Sequence, residues 1–342
     1  MGLERPKPSV LTLADSPAAL DAASRFQVPA TVSAEAKTEL SAFYDIWARM
    51  PAASRPITLD DWDRQREAIE TLGAATSAAL ANKLGASVEG DQIGGVPVFR
   101  IRPPGFKPNG RTLVFLHGGA YTRLGGRSRL VPPLLVASAT DGEVISVDYT
   151  LAPRGNWQTV TDEVIAVWRT LLAEGVAPAT IGVFGDSAGA SLGAGSVLKM
   201  RDLGLALPGA LYLMSPWSDI TVTGDSYLTL SRADPTLDAE ILGWSAEAYA
   251  EPKDQRSPYV SPVYGDYTKP FPPTLIQGGT REIFLSNFVR LYQAIRAGGH
   301  EAVLDLYEGM PHVFQNLTPN SPETRTAIAR AAAFFALHLK SE

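Results

Sequence analysis

In Val183-Phe184-Gly185-Asp186-Ser187-Ala188-Gly189 one serine stands between two glycines, where a short apolar run gives way to a run of small residues. Thr180 to Phe184 has the β-branched and apolar composition of a buried strand, and Ala188 to Gly195 can pack closely on a sheet as a helix. A chain that passes from strand to helix across a single serine is crowded there. Gly185 and Gly189 relieve the crowding while the serine hydroxyl is expected to be left exposed. This is the arrangement of an activated nucleophile. A Gly/Ser-rich turn has the same letters, so the assignment depends on what the rest of the chain supplies.

A nucleophile of this kind needs backbone donors aimed at the oxyanion it creates. Arg111 to Leu116 reads as a buried strand that runs into His117-Gly118-Gly119-Ala120-Tyr121. Glycines after a strand offer amides with no Cβ in the way of close approach. Gly118 and Gly119, with Ala188 just after the serine, are therefore the expected oxyanion hole. His117 is expected to hold neighbouring backbone together rather than take part in the reaction.

A serine hydroxyl is also a weak nucleophile at neutral pH and needs a base. The chain has four histidines. His117 belongs to the glycine loop, His300 follows Ala297-Gly298-Gly299 in a turn, and His338 ends an apolar run from Ala331 to Leu337. His312 remains, in Gly309-Met310-Pro311-His312-Val313-Phe314, directly after the strand-like Ala302 to Tyr307, where a loop can carry it over a sheet edge. The third member is a carboxylate that orients the imidazole and stabilises its charged form. In the order nucleophile, acid, base, it should follow the strand Pro272 to Gly279, which makes Glu282 the candidate. An acidic residue there also suits the first turn of a helix. Asp234 is the rival, but it precedes that strand in a segment that reads as an insertion.

Strands are expected near 86–92, 96–102, 112–116, 143–148, 180–184, 210–214, 273–277 and 302–307, with helices near 157–173, 188–201, 283–297 and 322–338. Alternation of this kind gives an α/β fold, a mostly parallel sheet covered by helices on both faces. The opening 85 residues differ, reading as two amphipathic helical stretches, Ser33–Met50 and Leu59–Leu84, with no strand.

With 342 residues and 45% hydrophobic content, the chain can bury one large core and a smaller appended unit. A net charge of −6 and the lack of a basic run argue against nucleic acid as a partner. No stretch has the roughly 18 apolar residues that read as a membrane span, and the N-terminus lacks the pattern of a secretory signal, so a cytoplasmic location is expected. Zero cysteines and four scattered histidines supply no metal cluster, and Gly193-Ala194-Gly195 lies too far inside a helix to be a dinucleotide fingerprint. No metal or cofactor is implied.

Taken together, these motifs resemble the hormone-sensitive-lipase family of α/β-hydrolases, the bacterial family IV esterases. His117-Gly118-Gly119-Ala120 is similar to the family's oxyanion loop, Gly185-Asp186-Ser187-Ala188-Gly189 to its nucleophile elbow, and Met310 to Phe314 to its histidine loop. Asp148-Tyr149-Thr150-Leu151-Ala152-Pro153 and Ser215-Pro216-Trp217-Ser218-Asp219 match two further segments. The resemblance runs from about residue 90 to the C-terminus. It departs at Glu282, where aspartate is commoner, and at Ala120, where glycine is.

What it implies is an α/β-hydrolase domain over 86–342, with residues 1–85 and an insertion at about 218–252 forming a helical cap over the site. Phe43, Tyr44 and Trp47 of that cap, with Tyr121, Trp217 and Val313, are the expected pocket lining. The implied activity is hydrolysis of a small-molecule carboxylic ester of short to medium chain, through Ser187, His312 and Glu282. An amidase or lactonase using the same triad is the alternative. A non-catalytic ligand-binding relative, as among plant gibberellin receptors, is a further one, and the retention of both Ser187 and His312 speaks against it. Since members often pair, the resemblance also allows a homodimer.

Overall fold

The β-branched runs of the sequence assemble into one eight-stranded sheet in the computed structural model, which describes residues 24–340 apart from residue 51. The strands are β1 (Ser87–Ile93), β2 (Val96–Arg102), β3 (Thr112–Leu116), β4 (Glu143–Val147), β5 (Ile181–Asp186), β6 (Ala210–Met214), β7 (Thr274–Gly279) and β8 (Ala302–Tyr307), in the spatial order β1-β2-β4-β3-β5-β6-β7-β8. Only the pairings of β2 with β1 and β4 are antiparallel. The helices are α1 (Ala34–Trp47), α2 (Leu59–Leu84), α3 (Val131–Thr140), α4 (Trp157–Ala173), α5 (Ala188–Asp202), α6 (Ser226–Thr229), α7 (Ala239–Tyr249), α8 (Leu285–Ala297), α9 (Phe314–Leu317) and α10 (Pro322–His338).

The sheet is covered on both faces, as a parallel sheet must be. α4, α5 and α8 bury Trp168, Leu192 and Phe288 against one face, while α3 and α10 bury Leu134, Ile328 and Phe335 against the other. The strands and helices expected from the sequence are present and differ only at their ends. α3 is not among those expected, and it contains Pro132-Pro133, a pair that would break a helix interior. Both prolines fall in its first turn, where a missing N–H leaves nothing unbonded.

The strand order fixes where chemistry can occur. From β3 the chain passes through α3 to β4 on one side, then returns through α4 to β5 on the other side of β3. Segments leaving the carboxyl ends of β3 and β5 therefore diverge, and ligands of open α/β sheets bind in the crevice formed at such a reversal. His117 to Ala120 leave β3 there, and Ser187 leaves β5.

No strand precedes β1 among the described residues. α1 lays Ala36, Leu40 and Tyr44 against Met310, Phe314 and Ala327. α2 opens with a reciprocal cap between Thr58 and Asp61 and ends at Gly85, whose φ of 65° suits a residue without Cβ. Its Ser77 Oγ accepts from Leu130 N–H at 3.1 Å and Glu70 Oε1 from Gly125 N–H at 3.3 Å, so α2 ties down the far end of the loop that follows β3. α6 and α7 lie in the segment between β6 and β7, inside the expected insertion. Among the described residues no helix is long and apolar enough to cross a membrane.

The glycines around the serine are unequal. A Cβ on Gly189 would lie 2.0 Å from Leu116 O and 2.4 Å from His117 O, both backbone atoms, whereas on Gly193 it would meet only side-chain methyls at 3.5 and 3.6 Å. Gly189→Ala is expected to destabilise by about 1–3 kcal/mol, the usual cost of overpacking. Gly193→Ala, inside the same helix, is expected to be neutral or to gain up to about 1 kcal/mol. Urea unfolding midpoints of the two variants check this.

Candidate active site

Ser187 occupies a backbone conformation, φ 54° and ψ −121°, that L-residues rarely adopt and that costs about 1–3 kcal/mol. Its own backbone bonds hold it there. Ser187 N–H donates to Met214 O at 2.8 Å, and Ser187 O accepts from Trp217 N–H at 3.1 Å, so the elbow is clamped to the end of β6. A Cβ on Gly185 would come within 2.6 Å of both the Gly189 carbonyl and Leu116 O, which is why no larger residue fits before the turn. The serine is 5% exposed. This departs from the exposed hydroxyl expected of the turn, since His312 from the loop after β8 packs against its Oγ.

His312 Nε2 lies 2.9 Å from Ser187 Oγ, and His312 Nδ1 lies 2.7 Å from Glu282 Oε2. A carboxylate at Nδ1 selects the tautomer with its proton there, which leaves Nε2 as the acceptor facing the serine. Glu282 is wholly buried, and its other oxygen accepts from Gly279 N–H at 2.6 Å and Ser215 O–H at 2.8 Å. Burial pushes its pKa above the ordinary carboxylate range; His312 and the Gly279 amide pull against that, and nearby Asp234 adds to it. Ser215 Oγ in turn accepts from Val313 N–H at 3.0 Å, fixing the residue after His312, whose φ of 47° is strained for a β-branched side chain. The ring of Phe284 meets His312 edge-on at 5.2 Å.

Asp234 is placed beside this chain of bonds but outside it. Its Oδ2 accepts from Ile283 N–H at 2.8 Å, while Oδ1 takes the amides of Thr236 and Leu237 and the Thr236 hydroxyl. It thus ties the insertion to the residue after Glu282. The other histidines lie elsewhere: His300 Nε2 is 2.7 Å from Lys269 O, and His338 lies 3.2 Å from Glu301.

The oxyanion loop differs from expectation at one position. Gly118 N–H donates to Asp186 Oδ1 at 2.9 Å and is therefore already committed. Arg129 holds the other oxygen of that buried carboxylate, with Nε at 2.9 Å. Among the described residues nothing accepts from the amides of Gly119, Ala120 or Ala188, so Ala120 replaces Gly118 among the free donors. His117 is buried, its Nδ1 2.8 Å from Gly118 O and its ring stacked on Tyr149 at 4.1 Å; burial draws its pKa below the ordinary histidine value. Tyr149 O–H donates to His117 O at 2.7 Å, which completes the support of the loop.

Of the expected pocket residues, Tyr121 and Trp217 are fully buried and belong to an aromatic row. Tyr249 stacks on Tyr121 at 3.6 Å, Tyr121 on Trp217 at 5.9 Å, and Trp217 on Phe284 at 5.8 Å, which reaches His312. Val313 is buried in the histidine loop itself. Phe43, Tyr44 and Trp47 are not in this row. Tyr44 packs with Met310 and Phe314, Phe43 packs against the same cluster, and Trp47 stacks on Phe43 at 5.3 Å. α1 therefore braces the back of the histidine loop, because its apolar face finds Met310 and Phe314 on either side of His312.

Ser215, Asp186, Arg129 and Ala120 have no role that the sequence alone assigns. Ser215 and Asp186 sit inside recognisable motifs, but Arg129 carries no local signal, since its partner lies across the sheet.

The chain matches the family profile described as alpha/beta hydrolase fold over residues 113–316. It is 32% identical over 273 residues to an acetyl-hydrolase of Streptomyces hygroscopicus, covering 80% of this chain and 87% of that one. Among solved structures it superposes on an esterase named E25 with a TM-score of 0.82 at 30% identity, covering 92% of this chain and 96% of that one. An esterase from the bacterial hormone-sensitive lipase family gives a TM-score of 0.79 at 30% identity, covering 90% and 99%.

Ser215 tests how far the geometry depends on its support. Ser215→Ala removes a hydrogen bond to a buried carboxylate and strands Val313 N–H, and a hydrogen bond to a charged group contributes about 1.5–3 kcal/mol. Steady-state kinetics on a soluble ester are expected to show kcat lower by about 10- to 100-fold, with circular dichroism unchanged.

Proposed function

The chain belongs to the α/β-hydrolase fold family, in its hormone-sensitive-lipase group of ester hydrolases, and on that premise we propose that it is a serine carboxylesterase working through an acyl-enzyme. Ser187 Oγ attacks the ester carbonyl carbon while His312 Nε2 takes its proton. Glu282 stabilises the imidazolium so formed. The amides of Gly119, Ala120 and Ala188 receive the oxyanion, and donors fixed in advance around a developing charge are commonly the largest single contribution to such catalysis. Collapse of the tetrahedral species breaks the bond to the alcohol oxygen, which leaves with the proton from Nε2. Water then attacks the acyl-serine with His312 as base, releasing the acid and restoring the hydroxyl.

The single observation that carries this reading is the continuous chain of bonds from Ser187 Oγ through His312 to Glu282, at 2.9 and 2.7 Å. An intact chain of this kind also favours turnover over mere ligand binding. A short to medium acyl group suits the site because Ser187 is nearly buried and the rings that run back from His312 are closely packed. The name of the Streptomyces relative, an acetyl-hydrolase, agrees with a short acyl group. α2, α7 and the segment around them form the cap in this reading, since Ser77 and Glu70 of α2 and Ser245 of α7 bond the loop that follows β3.

The test is a rate profile over p-nitrophenyl esters of rising acyl length, run on the wild-type protein and on Ser187→Ala and His312→Ala. The wild type is expected to favour acetate to octanoate over palmitate. Each variant is expected to remain folded with kcat lower by about four to six orders of magnitude, because triad members act as a unit. Activity surviving at a tenth of the original rate in either variant contradicts the mechanism.

A further inference from the structure

Arg123 lies in the turn that presents the oxyanion amides, its N–H donating to Gly119 O at 3.1 Å. The guanidinium reaches across to the insertion, where Nη2 donates to Ser245 Oγ on α7 at 3.4 Å. That is its only hydrogen bond among the described residues, and no carboxylate there lies near enough to act on it. Its Nε and Nη1 have no partner among the described residues and are not sealed from solvent. Arg129, by contrast, is matched with Asp186 beside the serine.

A guanidinium does not lose its proton in a protein, so this one stays charged even though burial alone draws its pKa down. An ion held partly out of water without a counter-charge carries a desolvation cost. Such a cost is recovered if a bound molecule brings the missing charge. The position suits one. Ser245 is one helical turn before Tyr249, the far end of the aromatic row that begins at His312. The turn that carries Arg123 also holds the free amides of Gly119 and Ala120 and meets α7 at Ser245, so a substrate with its carbonyl over Ser187 and its remote end towards α7 would meet Arg123.

We infer that Arg123 binds a carboxylate carried by the substrate at the end remote from the scissile bond, so that the preferred esters are anionic ones. This rests on the reading of Ser187 as the nucleophile of the same site. One planar guanidinium with unbonded Nε and Nη1 matches a single carboxylate in a bidentate pair, whereas a phosphate dianion calls for further cations that the described residues do not bring there. The carboxylate can sit on the acyl side, as in a monoester of a dicarboxylic acid, or on the alcohol side, as in an ester of a hydroxy acid.

Two matched pairs distinguish the sides: mono-p-nitrophenyl succinate against p-nitrophenyl butyrate, and 4-acetoxybutanoate against butyl acetate. In one pair the wild type is expected to favour the anion in kcat/KM. Arg123→Gln is expected to lower the anion-to-neutral ratio of that pair by about 10- to 100-fold, mainly through KM, in line with one hydrogen-bonded charge contact. Arg123→Lys, which keeps the charge but not the fork, is expected to recover part of it. The ratio cancels any general loss from misfolding. No anionic preference in either pair, or an equal loss for anion and neutral ester in Arg123→Gln, overturns the inference. Calorimetry of monomethyl glutarate on Ser187→Ala, with and without Arg123→Gln, reads the same contact without turnover. Binding that Arg123→Gln leaves unchanged also overturns the inference, and an inactive wild type whose binding depends on Arg123 indicts the hydrolase reading alone.

Discussion

Everything at this site is arranged around one buried negative charge. Glu282 is withdrawn from water and its ionised form is disfavoured by that burial, yet three donors converge on its two oxygens: the Gly279 amide, the Ser215 hydroxyl and His312 Nδ1. Donors fixed around a carboxylate favour its charged form. The consequence passes outwards, because a carboxylate held in place orients the imidazole and leaves Nε2 facing Ser187. The supports come from the ends of three neighbouring strands: Ser215 follows β6, Gly279 ends β7 and the histidine loop follows β8.

A second buried carboxylate performs the matching task on the other side of the serine. Asp186 takes the Gly118 amide and the Arg129 guanidinium, so the residue before Ser187 also fixes the loop after β3. Neither carboxylate is a surface ion pair of small consequence; each is buried and bonded by groups from distant parts of the chain. Removing one partner of such a buried pair is costly, about 3–5 kcal/mol, since it leaves the other charge unmatched. The strain at Ser187 and Val313 is held against this rigid background.

Much of the fold, and the meeting of Ser187, His312 and Glu282, is legible in the amino-acid sequence, for reasons particular to each element. The serine announces itself because a strand–helix turn of this sharpness admits only glycine at Gly185 and Gly189, and the glycine contacts bear that requirement out. His312 and Glu282 are found by order along the chain, which works because each follows the end of a successive parallel strand. What local sequence does not carry is the identity of a partner across the fold. Gly118 looks as free as Gly119 because nothing nearby in the chain reveals that Asp186 occupies its amide. The apolar face of α1 is plain from its spacing, but periodicity says which face is buried and not against what, and that face meets Met310 and Phe314. α3 holds two prolines whose position within a helix, rather than their presence, decides their effect.

Glu282, and not Asp234, is the group that holds His312. The most direct test compares kcat for p-nitrophenyl acetate in Glu282→Gln and Asp234→Asn, each checked for folding. Glu282→Gln keeps the shape but removes the charge that stabilises the imidazolium, and loss of the orienting carboxylate in a serine protease costs about 10⁴. Here a loss of about 10²–10⁴ is expected for Glu282→Gln and less than about tenfold for Asp234→Asn, whose carboxylate only bonds backbone amides and a threonine hydroxyl. The reverse order, with Asp234→Asn the more damaging and Glu282→Gln nearly as active as the wild type, contradicts the account.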